Sequence, residues 1–339
     1  MPLLTSALGT WNLPHFHRWQ DRGKNLRLPR TPLVGRRSRI ATIGSCFATE
    51  LAASMQRWRL LAEMHPASRF YNTRSIRQEM QRIFGTWEGY QREPMWRDRD
   101  GFVHPFKSRQ AFATETELRA WSDSIDAAAA QLFRTADIIV ITLGLIEAWR
   151  NPTTGNTFIQ MPPPDVFERL SPEFYRLTVA DMADDLNAIH SAIRSATQAE
   201  IVVTVSPIPL HATMTAKDVR VANAESKARI RAAVSEFVDA HPEVHYFPSF
   251  EMVSTAEALS DFMLEDGRHL HRYAVDYIMH QFLTCFAAPD VTPGKVDTSW
   301  LREPTKLAAR ADHRPSWARR IMSRLWSPVK KLRAMAAMR

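Results

Sequence analysis

The chain has 339 residues, of which 45% are apolar, with 11 glycines, two cysteines and a formal net charge of +8. This suits one large or two small globular domains with a sizeable core, and the count of two, Cys46 and Cys285, excludes a disulfide-stapled scaffold and a Cys-ligated zinc site. The charge is local: eleven Lys/Arg lie between Arg302 and Arg339 against Glu303 and Asp312, so the rest of the chain is close to neutral and nucleic acid is not an expected partner. No run approaches the roughly 18 uninterrupted apolar residues of a membrane span. The opening MPLLTSALGTWNLPHFHRW has neither a basic n-region nor a sustained apolar h-region, so a cytoplasmic location is expected.

Residues 1–37, rich in Arg, Pro and Trp, read as an irregular lead-in, residues 38–295 as an α/β domain and residues 296–339 as a basic tail. Arg39 to Ile43 predict a strand, Gly44-Ser45 a tight turn, and Leu51, Met55, Trp58 and Leu61 a helix by their spacing. Helices are expected over 74–84 and 115–133, with an irregular insertion at 85–107. The β-branched runs 138–143 and 201–205 predict central parallel strands covered on both faces. Between them stand a Pro-rich loop at Pro162-Pro163-Pro164 and a helix near 174–196. A helix near 216–240, a strand at 244–247 and a last helix near 271–286 follow. Alternation of this kind predicts an α/β fold with a doubly wound parallel sheet sandwiched by helices, three-layered and flavodoxin-like, whose ligands bind beyond the carboxyl ends of the strands.

Two segments carry potential chemistry. In Gly44-Ser45-Cys46-Phe47-Ala48, Ser45 is suited to cap the helix that follows, and equally placed to act as a nucleophile beside the unpaired N–H groups and positive end of that helix. In Glu265-Asp266-Gly267-Arg268-His269, the three-residue separation lets Asp266 orient the His269 ring, although an N-capping Asp266 and a solvent-facing His269 fit the same pattern.

These five letters, Gly44 to Ala48, resemble the first block of the GSCFA family, related to the SGNH/GDSL hydrolases. Tyr71-Asn72-Thr73-Arg74-Ser75-Ile76, Thr142-Leu143-Gly144, Val205-Ser206-Pro207-Ile208 and Asn223 with Ser226-Lys227 resemble further family segments in the same order, over about residues 38–286. The resemblance implies an SGNH-type fold in which Ser45 is the nucleophile, His269 the base and Asp266 the group that orients it. The superfamily's Gly-x-Asn-Asp is replaced by Gly144-Leu145-Ile146-Glu147, so the oxyanion donor must be Asn72 from another loop, or the backbone N–H groups of Ser45 and Gly144, or catalysis is lost. Asn223 and Lys227 join Gly144 and Asn72 as candidate oxyanion or substrate-binding residues.

The implied activity is that of a serine esterase or O-acyltransferase working through an acyl-Ser45 intermediate on an O-acylated, glycan-type substrate. The alternative is a non-catalytic glycan-binding or scaffold protein that keeps the fold. Cys46, next to Ser45, reads as core packing before it reads as a thiolate. His65, His104, His190, His211, His271 and His280 show no His-x-x-x-His or His-Glu-x-x-His spacing on a predicted helix, so no metal is expected, and the absence of glycine-rich phosphate loops leaves no cofactor indicated. In the tail, Trp317, Ile321, Leu325, Val329 and Leu332 recur mainly in steps of four up to and past Pro328, which reads as a basic amphipathic helix for an anionic membrane surface or a partner, or as a solvated tail.

Overall fold

The computed structural model describes residues 28–67, 69–87, 93–254 and 262–291. The chain divides into two units, Met1–Val296 and Asp297–Arg339, and everything described lies in the first. The amphipathic segment expected from Trp317 to Leu332 is outside the described residues.

In chain order the elements are β1 (Arg39–Gly44), α1 (Cys46–Arg57), β2 (Leu61–Met64), α2 (Thr73–Phe84), β3 (Trp96–Asp98), β4 (Gly101–Val103) and α3 (Glu115–Arg134). Then come β5 (Ile138–Leu143), β6 (Glu147–Arg150), β7 (Thr157–Phe158), α4 (Pro164–Leu170), β8 (Glu173–Arg176) and α5 (Val179–Arg194). The last are β9 (Glu200–Val205), α6 (Val219–Ala240), β10 (Val244–Tyr246), α7 (Ser249–Ser254) and α8 (Arg272–Phe286).

Five of these strands form one parallel sheet in the order β10-β9-β5-β1-β2, with Ile40 opposite Ile138 and Ile141 opposite Val203. All six residues of β5 are buried, because helices cover both faces of the sheet. Alternate residues, among them Ala41, Ile43, Ile139, Ile141, Ile201 and Val203, pack against α2, α3, α5 and α6 on one face. On the other face α1 lies over β1 and β2 and meets α8. This is the three-layer α/β sandwich predicted from the alternating strands and helices. The chain moves outward from β1 to β2, then returns to the other side of β1 to lay down β5, β9 and β10, so the strand order reverses between β1 and β5. A crevice opens at such a reversal, beyond the carboxyl ends of the strands.

The described part of the lead-in is pinned to the end of α8: Val34 is fully buried, and Thr31 and Leu33 donate backbone hydrogen bonds to Cys285 O and Phe286 O. Among the described residues no helix is long and apolar enough to cross a membrane.

Several local expectations are corrected. The first helix stops at Arg57, where Trp58 caps it and Arg59 turns at φ 61°, and Leu61 opens strand β2 instead of extending the helix. The insertion at 85–107 contains the β3–β4 hairpin, closed through a bridge between Phe102 and Phe112. Pro163 and Pro164 do not prolong a loop: Pro164 starts α4, a position where proline's missing N–H costs nothing. Residues 173–176 belong to β8, which joins β6 and β7 in a separate antiparallel sheet, and α5 starts only after Thr178, whose hydroxyl takes the Asp181 N–H in a capping box.

Candidate active site

β1 ends in Gly44 at φ +129°, and a Cβ there would stand 2.0 Å from Thr142 O, so only glycine lets β1 and β5 run this close at their carboxyl ends. The next residue, Ser45, is 2% exposed and caps α1: its Oγ accepts the Phe47 N–H at 3.2 Å. Both sequence readings of Ser45 therefore describe one position, since a cap at this edge also sits beside the positive end of the helix. Its Oγ lies 3.0 Å from Thr142 Oγ1, and its N–H donates to Thr142 O at 3.0 Å and Thr142 Oγ1 at 2.9 Å. Thr142, one residue before the end of β5, thus joins the site as the polar partner of Ser45. The Thr-Leu-Gly segment held it in plain view, but its role depends on β1 and β5 being neighbours.

Asp266 and His269 stand in the turn before α8. Asp266 Oδ1 accepts the N–H groups of Arg268 and His269 at 3.0 and 2.9 Å, while Oδ2 meets His269 Nδ1 at 2.6 Å. Partial burial favours the neutral acid, but the bond to the His269 ring and the two backbone N–H groups outweigh it and hold the carboxyl down to about 2. An ionised Asp266 needs a proton on Nδ1, which leaves Nε2 as an acceptor. That nitrogen faces the Arg268 guanidinium, with Nη1 2.8 Å away, and Arg268 Nε also donates to Pro209 O at 3.2 Å.

Asp266 and His269 are therefore brought together as the sequence spacing predicts. Among the described residues no hydrogen bond joins His269 to Ser45: Arg268 occupies the imidazole and Thr142 the serine. Electrostatics tie the two halves to one edge. Burial pushes the Cys46 thiol up against the opposing pull of Arg268, Arg69 and Lys227, which keeps it a protonated thiol and favours the packing role over a nucleophilic one. Burial and Cys46 push the Tyr71 hydroxyl up, opposed by Arg69 and Arg268. Beside this edge a cleft of about 400 Å³ runs between Thr49 on the first turns of α1, Met64 at the end of β2, His65, Arg69, Tyr71 and Gln160.

The candidate oxyanion donors are spent inside the fold. Asn72 caps α2, its Oδ1 accepting the Ser75 N–H at 2.9 Å, and its Nδ2 donates to Glu147 O at 3.4 Å. Gly144 N–H donates to Tyr71 O at 2.9 Å, and Ser45 N–H goes to Thr142. In this geometry Asn72 serves as a helix cap, and Gly144 as a close approach, where a Cβ would lie 3.3 Å from Ser45 Cβ. Asn72→Ala should cost about 1 kcal/mol in urea denaturation, the usual effect of losing a cap, while covalent labelling of Ser45 stays within a few-fold of wild type. A hundredfold loss of labelling at unchanged stability would return Asn72 to the site.

Asn223 and Lys227, one turn apart on α6, also serve the frame. Asn223 Oδ1 accepts the Leu210 N–H at 3.1 Å, and the Lys227 ammonium donates to Gly144 O at 2.8 Å and Ile208 O at 3.1 Å. Lys227 is fully buried, and among the described residues no carboxylate pairs with it. Burial pushes it down to about 7, with Cys46 opposing and Arg268 adding to the shift. Glu147 was not singled out by the sequence: its carboxylate takes Thr213 Oγ1 at 2.5 Å and the Met214 N–H at 3.0 Å, holding another loop of the same rim.

Among known proteins, a family model for the GSCFA family matches residues 39–282, and no curated protein is significantly similar to the chain. The matched stretch opens with β1 and closes inside α8, so it holds Ser45, Asn72, Gly144, Asn223, Lys227, Asp266 and His269. With well over half of its length matched in that way, the chain belongs to the GSCFA family.

Proposed function

We propose that this GSCFA protein is an SGNH-like serine esterase or O-acyltransferase with Ser45 as nucleophile. The reading is carried by the Asp266–His269 hydrogen bond of 2.6 Å, which fixes an imidazole with an accepting Nε2 on the same edge as a helix-capping serine. Ser45 Oγ adds to the ester carbonyl carbon as His269 Nε2 takes the hydroxyl proton. The tetrahedral intermediate then expels the alcohol, which leaves with that proton. Water, or an acceptor alcohol, attacks acyl-Ser45 by the same route and restores the enzyme. An O-acylated glycan as substrate is supported by superfamily resemblance alone.

For this cycle Arg268 has to leave Nε2. It lies 2.8 Å from the imidazole, the superfamily's asparagine donor is Ile146 here and the N–H groups of Ser45 and Gly144 are occupied, so its guanidinium takes their place and donates to the developing oxyanion. Arg268→Gln should then lower kcat for a chromogenic acetyl ester by about 10²-fold, with KM little changed. Faster turnover in Arg268→Gln would instead make the arginine a block on the base.

The alternative, a non-catalytic glycan-binding or scaffold protein, is favoured by one observation, the commitment of Ser45 N–H, Gly144 N–H and Asn72 to bonds within the fold. A fluorophosphonate probe separates the two: stoichiometric labelling absent in Ser45→Ala supports the enzyme, and no labelling of wild type at any pH from 6 to 9 supports the scaffold.

A further inference from the structure

At the opposite, amino edge of the sheet the last turns of α5 and α6 and the turn into β10 bring together His190, His241 and Glu243. We propose that these three residues bind one divalent transition-metal ion of the zinc type. Their donor atoms all lie within 4.8 Å of one another. His190 Nε2 is 2.8 Å and His241 Nδ1 3.6 Å from the same oxygen, Glu243 Oε1. Ligands of a tetrahedral zinc, at about 2.0–2.1 Å from the ion, stand about 3.4 Å apart, so no pair of donors, all within 4.8 Å of one another, has to close by more than about 1.4 Å to form a coordination sphere.

The surroundings favour metal over a mere ion pair. His241 Nε2 lies 2.9 Å from Asn187 Oδ1, so that nitrogen carries the proton and Nδ1 keeps its lone pair toward Glu243, the outer contact that orients metal-binding histidines. Both imidazoles rest on the Phe237 ring, at 6.2 and 4.8 Å between centroids, and they lie 4.2 Å from each other. Two protonated rings so close would repel, whereas two neutral rings can share a cation. Burial and His241 push the His190 pKa down, in the same direction. Arg194 on α5, a cation that acts on His190, has its guanidinium on Ala199 O at 2.6 Å. Glu243 is half-exposed, leaving a fourth position open to water.

Two nitrogens and one carboxylate suit Zn²⁺, Co²⁺ or Ni²⁺ better than Mg²⁺ or Ca²⁺. Because the ligands come from α5, the end of α6 and the turn into β10, the ion clamps the edge strand of the sheet, at the edge opposite Ser45. The sequence conceals the site: 51 residues separate the two histidines, so no helical spacing announces it.

The test is calorimetric titration of metal-free full-length protein with ZnCl₂, with CoCl₂ absorption as a second readout. Wild type should bind one equivalent with micromolar or tighter Kd, raising Tm by roughly 5 °C at a hundredfold excess over Kd. His190→Gln and His241→Gln should each weaken that equivalent at least 100-fold and Glu243→Gln about tenfold, while His280→Ala, on α8, binds as wild type. Circular dichroism in EDTA verifies that the Gln variants are folded, which partly exposed side chains should allow. Equal stoichiometry and affinity in wild type and a His190→Gln/His241→Gln double variant would overturn the proposal, as would the absence of any equivalent with Kd below about 100 µM.

Discussion

Ser45→Ala and His269→Ala are each expected to abolish fluorophosphonate labelling and to lower ester turnover by on the order of 10⁴-fold or more, because nucleophile and base act as one unit and either loss removes the covalent route. The double variant should be no worse than the singles. Asp266→Asn should fold normally and lose less, since it leaves the nucleophile and imidazole in place and disturbs only the proton on Nδ1 and the hold on the ring. With the charged carboxylate gone, nothing fixes Nδ1–H, and a fraction of His269 presents the wrong nitrogen, which lowers turnover. Cys46→Ala should retain labelling, because burial keeps its thiol protonated. Labelling that survives in Ser45→Ala and disappears in Cys46→Ala would transfer the nucleophile to the neighbouring residue. His269→Ala with undiminished turnover would sink the base assignment and with it the role given to Arg268.

The second large effect concerns Lys227, whose ammonium is buried against the carbonyls of Gly144 and Ile208. Its folded-state value is about 7, against an ordinary 10.5 in the unfolded chain. Between these values the unfolded chain holds a proton that the folded protein has released, so the unfolded state binds more protons and stability rises with pH. Below pH 7 both states are protonated and the burial penalty is fully present; toward pH 10 it is relieved. Relative to Lys227→Met, wild type should therefore gain up to a little over 1 kcal/mol per pH unit above pH 7, roughly 5 kcal/mol across the whole window. Urea denaturation of both proteins at several values from pH 6.5 to 9.5 reads this directly. Other groups titrating in that range cancel in the difference. Parallel stability curves would mean that Lys227 keeps its charge at ordinary cost and that the penalty argued from burial is absent. The offset between the curves is a separate quantity, set by the loss of donors to two buried carbonyls and the packing of Met in place of the lysine stem.

Much of this fold is written locally. The runs 138–143 and 201–205 could only be strands buried on both faces, because uninterrupted β-branched residues neither make an amphipathic helix nor leave a polar face for water. Gly44-Ser45 declared a strand-to-helix turn, and the Thr114 and Thr178 capping boxes lay in the sequence as Thr-x-x-Glu and Thr-x-x-Asp, a signal that would have fixed the start of α5 after β8. Short strands escaped: β2 alternates exposed and buried residues over only four positions, and β6, β7 and β8 gain their identity from pairing with one another, which no local window contains.

At the site the division is the same. Local spacing is enough to place the Asp266–His269 pair, since both partners sit within one turn, and the capping position of Ser45, since a cap is a local hydrogen bond. What each of them faces depends on contacts made across the fold. Thr142 reaches Ser45 because β5 was laid beside β1, across 97 residues of chain; Asn72 turns its amide nitrogen to the Glu147 carbonyl, across 75 residues; Lys227 reaches Gly144 across 83 residues. Arg268 is adjacent to His269 in sequence, yet no local pattern announces its contact, because which way an arginine turns depends on the carbonyl of Pro209 and the loops around it, 59 residues away. Contacts closed within a turn are specified by neighbouring residue types, whereas contacts closed across the sheet depend on strand order, and strand order is a property of the whole fold.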